Sequence, residues 1–338
     1  MALRVGMAGY GLAGRYFHAP LLKGCGLDLV AVLTTNPDRV AHVSADFPDA
    51  AVVSNMSDLL AHDLDLVIIA SINSVHVEQA IAAIHAGIPT VVDKPMGRNL
   101  TETLEILKAS EDAGVPVTTF FNRLFDSDSL TIKRVLENNE IGKVFRIDSR
   151  FERFRPDLAA QSWREQSSAA EGGGLLLDLQ SHLVSTALDW FGPAELVSAS
   201  VRSIRGASDD DVVLVLKHYS GVDSYLSASS IVGSPGPRIR MMGTKGALVI
   251  GELDPQEALL RSGQSPQSGK WEVSTKSAAR ILRGDEVHEV KVEDGNYAKF
   301  YALVAGAIAG KNDWPVSKTE ILAVATILDR ARELNFRE

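Results

Sequence analysis

Apolar residues follow two rhythms along this chain. In the first third, short unbroken apolar runs at residues 3–8, 27–33, 51–53, 65–70, 90–92 and 116–120 alternate with segments whose apolar positions recur at helical spacing. The unbroken runs predict strands buried on both faces and the spaced segments predict helices, which together make parallel βαβ units in a doubly wound sheet. Helix starts are marked too. Asn36-Pro37 sets a capping side chain before a proline at the first helical position, and Ser57, Ser74 and Thr101 are predicted N-caps.

After about Asn122 the rhythm changes. A helix predicted over 127–137 leads into a long strand over 143–154, and strand-like runs follow at 196–203, 212–219, 222–231, 238–242 and 247–250 with few helices between them. Short turns such as Tyr219-Ser220-Gly221 favour antiparallel neighbours. The expected fold class is therefore α/β: a Rossmann-type doubly wound parallel sheet over 1–121, then an α+β domain over 122–338 with a mostly antiparallel, open-faced sheet. An uncovered sheet face predicts a homodimer or homotetramer. Two amphipathic helices are predicted at 297–309 and 318–335, the last a candidate to pack back on the first domain. Residues 156–174 and 261–270, rich in small and polar side chains, read as a candidate lid and a surface loop.

The first apolar run ends in Gly9-Tyr10-Gly11-Leu12-Ala13-Gly14, which opens a helix predicted over 12–22 and ended by Gly24. In this spacing the first glycine permits a tight turn, the second lets a pyrophosphate approach the backbone, and the third lets helix and strand pack closely. The open N–H groups and dipole of the helix then face the phosphates.

Composition narrows the partners. The 338 residues suit two domains, and 45% hydrophobic with 23% charged residues is the balance of a soluble globular protein. A formal net charge of -9 argues against nucleic acid or an anionic membrane as partner. A single cysteine, Cys25, cannot form an internal disulfide, and Met1-Ala2-Leu3-Arg4 runs straight into a strand, so a cytoplasmic protein is expected. No apolar run approaches bilayer-spanning length. The histidines are scattered without ligand spacing, and no metal is assigned.

Oxidation of an alcohol by a nicotinamide needs a positioned base and a group that stabilises the developing alkoxide. Lys94, within Val91-Val92-Asp93-Lys94-Pro95, follows the fifth strand at the edge where open α/β sheets bind ligands. Pro95 stiffens that loop. Asp178 and His182 stand four apart in a run that opens with three glycines at 172–174, so a continuous helix would set both on one face. Both interrupt an otherwise apolar stretch, and a carboxylate beside an imidazole raises its basicity and orients it.

Four marks make the chain resemble the Gfo/Idh/MocA family of NAD(P)-dependent oxidoreductases over nearly its whole length. They are the glycine motif, Asn73-x-x-His76, Asp93-Lys94-Pro95 in place of the family's usual Glu-Lys-Pro, and Asp178-x-x-x-His182. The segments from Gly14 to Pro20, Gly243 to Gly246 and Leu253 to Glu257 look most like the branch containing scyllo-inositol dehydrogenases. The resemblance implies that Lys94, Asp178 and His182 line an active site. It also implies cofactor contacts from Gly9, Tyr10, Gly11, Leu12, Ala13 and Gly14, from Ser71, Asn73 and His76, and from Asp93, Lys94 and Asn122. Gln180 and Ser185 stand where members often have glycine and an acid, and the Gln180 side chain is expected to change the pocket.

An NAD site places an acid about 20 residues past the glycines to bind the ribose hydroxyls. Here Leu33-Thr34-Thr35-Asn36 holds none; Thr34, Thr35 and Asn36, with Arg39 one turn on, favour NADP over NAD, while Asp38 offers the competing ribose contact. Arg123, Arg153, Trp163 and Arg164 suit a polyhydroxylated ring or an acid by stacking and forked hydrogen bonds, and each alone reads equally as a polar-loop or domain-interface residue. The expected function is hydride transfer between NAD(P) and a secondary alcohol of a sugar or cyclic polyol. Either Lys94 or His182 can be the general base. The alternatives are a dinucleotide-sensing regulator, and an enzyme that uses tightly held NAD for transient oxidation during glycoside cleavage.

Overall fold

The computed structural model describes residues 2–158, 163–168, 171–206, 208–264, 266 and 279–335, without the side chains of Trp163, Arg164 and Asn335. The chain forms two compact units. The first comprises Met1–Phe121, Gln256–Glu272 and Asn296–Leu322; the second comprises Asn122–Pro255, Val273–Gly295 and Ala323–Glu338. The carboxyl-terminal part is thus shared between both units.

The first unit holds six strands, β1 (Arg4–Ala8), β2 (Asp28–Leu33), β3 (Ala51–Val53), β4 (Leu66–Ile69), β5 (Thr90–Val92) and β6 (Val117–Thr119). They lie in the order β3-β2-β1-β4-β5-β6, every pair parallel. The order reverses between β1 and β4, the switch point at which such sheets open a crevice beyond the strand ends. All four residues of β4 are buried, as an unbroken apolar run requires when helices cover both faces. Asn36 caps the helix Pro37–Asp46 as expected, its side chain accepting from the Arg39 N–H. Two other caps differ from expectation: Asn55 and Asn99, not Ser57 and Thr101, accept the backbone N–H groups of Asp58 and Glu102. Ser74 lies within a short turn, Asn73–Val75, that runs into the helix His76–His85. Each asparagine sits two residues before the predicted cap, so the capped helix begins a half-turn earlier.

Among the described residues the second unit is built on eight strands: β7 (Val144–Glu152), β8 (Ala194–Arg202), β9 (Asp211–His218), β10 (Asp223–Ser229), β11 (Ile239–Gly243), β12 (Gly246–Ile250), β13 (Ala279–Arg283) and β14 (Glu286–Val290). Their order is β14-β13-β12-β11-β7-β10-β9-β8, and only β7 with β10 is parallel. One face packs Ile147, Met241 and Leu248 on the helices Ser127–Glu137 and Gln180–Phe191, which supply Ile132, Val135 and Trp190. The opposite face carries a charged row along β7 in place of an apolar one. Arg146 and Arg150 reach Asp148 at 2.9 and 3.3 Å, Arg150 reaches Glu152 at 3.7 Å, and the Arg146 guanidinium lies 4.5 Å over the Tyr225 ring. The β13–β14 hairpin was not predicted. Its outer strand is exposed along Glu286–Glu289, so charge hides the alternation that would have marked it. Residues 159–162, 169 and 170 of the predicted lid, and 265 and 267–270 of the 261–270 loop, lie outside the described residues.

Candidate active site

In the first unit the three glycines take three different roles. Gly9 has φ +98, its N–H donates to Leu33 O at 2.9 Å, and a Cβ there would come within 2.6 Å of Ala70 O. A Cβ on Gly14 would collide with Gly9 O. These two are closed against the neighbouring backbone. Gly11 is not: among the described residues the nearest atoms to a Cβ there belong to the Arg39 guanidinium, at 3.7 Å, an ordinary contact distance, so the loop is open over its middle glycine. An open backbone at the mouth of a helix, with a guanidinium beside it, fits a dinucleotide's phosphates.

Thr34 is buried, and Thr35, Asn36 and Arg39 are exposed at the end of β2. The Asn36 Oδ1 already caps its own helix by accepting the Arg39 N–H at 3.1 Å. Tyr10 turns inward and donates its hydroxyl to Asp46 at 3.1 Å; burial first, and Asp46 next, push its phenol above the usual range. Arg15 closes on the same carboxylate at 2.8 Å. Leu12 is exposed, and Asn73 and Asn122 are buried.

The helix that follows the glycines contains one wide turn, in which the Ala19 N–H bonds to Gly14 O five residues back. Its last residue, His18, is fully buried. His18 Nδ1 lies 2.5 Å from the Tyr301 hydroxyl, and Nε2 faces the Asp93 carboxylate at 3.9 Å, an ion-pair separation and too long for a hydrogen bond. Asp93 Oδ1 accepts the Lys94 N–H at 2.7 Å. Burial alone would raise the Asp93 carboxyl, but His18, Lys94 and His76 outweigh it and hold that carboxyl below the usual range. An ionised, buried carboxylate therefore anchors the backbone that carries Lys94, which is itself partly exposed. The Lys94–Pro95 peptide is cis.

His76 is buried, with Nδ1 3.0 Å from Pro95 O and Nε2 3.3 Å from Ser71 O. Burial lowers its pKa, and a neutral ring donates to only one of these carbonyls. It ties the loop after β4 to the loop after β5. Ser71 donates its hydroxyl to Gln79 at 2.7 Å.

In the second unit, Gly172 and Gly174 have φ +93 and +92, and a Cβ on Gly174 would collide with the Asp209 carboxylate. That carboxylate accepts the Leu176 N–H at 2.7 Å, and Asp209 O accepts the Leu175 N–H at 2.9 Å. The expected continuous helix is split: Leu175–Asp178 forms one turn, Leu179 breaks it, and Gln180–Phe191 follows. The His182 N–H bonds to Leu179 O, three residues back, at 3.1 Å, and the Ser181 hydroxyl bonds to Asp178 O at 3.3 Å. Asp178 and His182 thus lack the register of one straight helix. Asp178 lines a pocket with Arg153, Arg155 and Arg205, whereas His182 is buried with its ring 6.4 Å from that of Phe151.

Gln180 also departs from expectation. It is fully buried and donates to Val212 O and Leu226 O, each at 3.0 Å, so it fastens the helix to β9 and β10. Arg123 is buried against Asp126 at 3.4 Å, with its guanidinium 5.6 Å from the Phe151 ring. Arg153 is only partly buried and lies within electrostatic reach of Asp178. The side chains of Trp163 and Arg164 lie outside the described residues. Among the described residues no group of three or more His, Cys, Asp or Glu could hold a metal ion, and no helix is long and apolar enough to cross a membrane.

Both parts of the chain match one family of known proteins. Residues 3–121 match the family described as "Oxidoreductase family, NAD-binding Rossmann fold", and residues 129–249 match its "GFO/IDH/MocA C-terminal domain". The scyllo-inositol 2-dehydrogenase (NADP(+)) IolW of Bacillus subtilis is 30% identical over 338 residues, covering 98% of this chain and 93% of its own. The chain belongs to the Gfo/Idh/MocA oxidoreductase family. The Escherichia coli oxidoreductase YdgJ is 31% identical over 97% of this chain and 94% of its own. Among solved structures, the yvaA oxidoreductase of Bacillus subtilis superposes with a TM-score of 0.90 at 29% identity, covering 99% of this chain and 97% of that one. An oxidoreductase from Klebsiella pneumoniae reaches 0.89 at 32% identity, covering 99% and 94%.

For a member of this oxidoreductase family, several supporting residues escaped the sequence reading. His18 and Tyr301, 283 residues apart, brace Asp93 from the interior. Asp209 caps the glycine turn, and the Arg238–Asp128 pair at 3.2 Å, each side chain 2% exposed, underlies Phe151. Only His18, beside Phe17 and Leu21, stands in an apolar setting that signals a buried role; Asp209 and Asp128 lie in polar runs that read as surface.

Proposed function

We propose that the chain transfers hydride between NADP and a secondary alcohol of a cyclic polyol or sugar. The observation that carries this reading is the Arg39 guanidinium beside the open backbone of Gly11, next to a strand end, Leu33 to Asn36, that contains no acid. The name of the Bacillus subtilis relative, with inositol as substrate and NADP(+) as cofactor, supports both parts of it. When bound, the nicotinamide accepts the hydride of the alcohol carbon. On this reading a His182 ring nitrogen takes the hydroxyl proton, Lys94 Nζ holds the substrate oxygen, and Asp178 orients the imidazole; Lys94 and His182 are coupled and can exchange the base role. Asp93 holds the Lys94 backbone, and His76 fixes the two loops that face the cofactor. The open sheet face, with its charged β7 row, is the surface we assign to self-association.

Fluorescence titration with NADPH and NADH tests the cofactor, and an absorbance screen of inositols, aldoses and small ketones tests the chemistry. NADPH is expected to bind at least about tenfold more tightly than NADH, the effect of one charge-assisted contact. Failure of both dinucleotides to bind would overturn the proposal.

A further inference from the structure

Within the second unit, a cavity of about 120 Å³ opens beside Asp178. Three guanidinium groups line it, and they are not equivalent. Arg205 is fully occupied: its side chain is 7% exposed, it pairs with Asp210 at 2.9 Å and Glu165 at 3.4 Å, and it donates to Arg155 O and Asp157 O. It builds the wall. Among the described residues Arg153 has no ion pair or side-chain hydrogen bond of this kind, and its Nε is buried without a partner. Burial first, and the neighbouring Arg155 charge second, lower the Arg153 pKa, although Asp178 and Glu165 pull the other way. A guanidinium does not give up its proton in a protein, so this is the signature of positive charge that its surroundings undercompensate. Arg155 stands beside it, exposed.

Buried donors without acceptors are costly, and a planar fork matches the two oxygens of an oxyanion. Three carboxylates share the lining: Glu165 pairs with Arg205, Asp209 accepts the Leu176 N–H, and Asp178 is the group the proposed function assigns to orienting the proton-accepting imidazole. An anion seated here would therefore be a substituent of the molecule being oxidised.

We propose that Arg153, with Arg155, binds an anionic substituent of the substrate, so that the substrate class is a polyol or sugar carrying a carboxylate or a phosphate. The inference rests on the proposed polyol oxidation for its link to turnover, but the anion site itself is open to a direct binding test. Guanidinium contacts to an oxyanion contribute about 10- to 100-fold in affinity. The expected gain is in KM, since the anion sits away from the reacting carbon.

Calorimetric titration of the full chain with glucuronate, gluconate, glucose 6-phosphate, glucose and myo-inositol, in the presence of NADPH, tests this independently of turnover. At least one acid is expected to bind about 10-fold or more tightly than the neutral compounds, with the carboxylates and the phosphate ester separating the two sources of charge. Arg153→Met is expected to remove that preference and Arg153→Lys to restore part of it, with thermal melting showing that each variant remains folded. Where turnover is measurable, the loss should fall on KM for the acids. Equal or weaker binding of every acid than of its neutral counterpart would overturn the anion site, as would an acid preference unchanged in a folded Arg153→Met. Acid binding that depends on Arg153 without oxidation of any compound would uphold the anion site and overturn the proposed oxidation instead.

Discussion

The loop Gly9–Gly14 and the turn before Asp178 are both glycine turns that run into a helix, yet different forces hold them. Gly9 and Gly14 are fixed by backbone: their missing side chains are filled by Ala70 O and Gly9 O. Gly174 is fixed by a side chain, the buried carboxylate of Asp209, which comes from 33 residues beyond the Leu176 N–H it accepts. Around it the second unit continues in the same manner. Arg238 reaches Asp128 and donates to Ser149, 89 residues away, while its guanidinium lies 4.1 Å from the Phe151 ring. The first arrangement is steric and needs only the right spacing of small residues. The second is electrostatic, and the loss of one partner leaves the other charged and dry.

The contrast is broken most severely at the proposed chemistry. Lys94→Ala removes an ammonium but none of the backbone that holds the loop, because Asp93 bonds to the Lys94 N–H and not to its side chain. Turnover is expected to fall about 10²- to 10⁴-fold. Dinucleotide affinity, measured by fluorescence, should stay within a few-fold of the parent. Turnover that survives the substitution would remove Lys94 from the chemistry.

A smaller break separates the two modes of support. Arg238→Met keeps much of the bulk that lies over Phe151 but strands Asp128, whose carboxyl is already pushed up by burial despite the guanidinium beside it. The expected cost is about 3–5 kcal/mol, recovered in part by adding Asp128→Leu, since a buried ion pair is dangerous to halve and tolerable to replace whole. Calorimetric melting of single and double variants reads this directly. A single variant as stable as the parent would show that the pair carries no weight.

These modes also decide what the sequence could reveal. The six parallel strands, the glycine loop and the position of Lys94 at the end of β5 follow from spacing within each βαβ unit, and a reader of the chain finds them. The helix break at Leu179 does not: it falls in a leucine-rich run with no local breaker, and the turn before it is held by Asp209, which bonds to the Leu175 and Leu176 N–H groups from another part of the chain. Gln180 misleads for the same reason: its two acceptors, Val212 O and Leu226 O, belong to strands that only the fold brings together. His18, set in a helix beside apolar Phe17, shows its polarity but not Tyr301 or Asp93, with which it is buried.

Local signals can still be misplaced by a residue or two, and the helix Leu100–Ala113 gives the finest test of how local the first unit is. Thr101 has the side chain of a cap and is exposed inside the helix; Asn99 is the residue whose Oδ1 accepts the Glu102 N–H, at 2.9 Å. Glu102 in turn accepts the Arg98 N–H at 2.7 Å, so the helix start is tied reciprocally. Asn99→Ala is expected to cost about 1 kcal/mol, because it leaves an N–H of the first turn without its acceptor. Thr101→Ala should be neutral or slightly stabilising, since alanine is the better helix former. Equal effects of the two substitutions in chemical denaturation would mean that tertiary packing, and not the cap, sets where this helix begins.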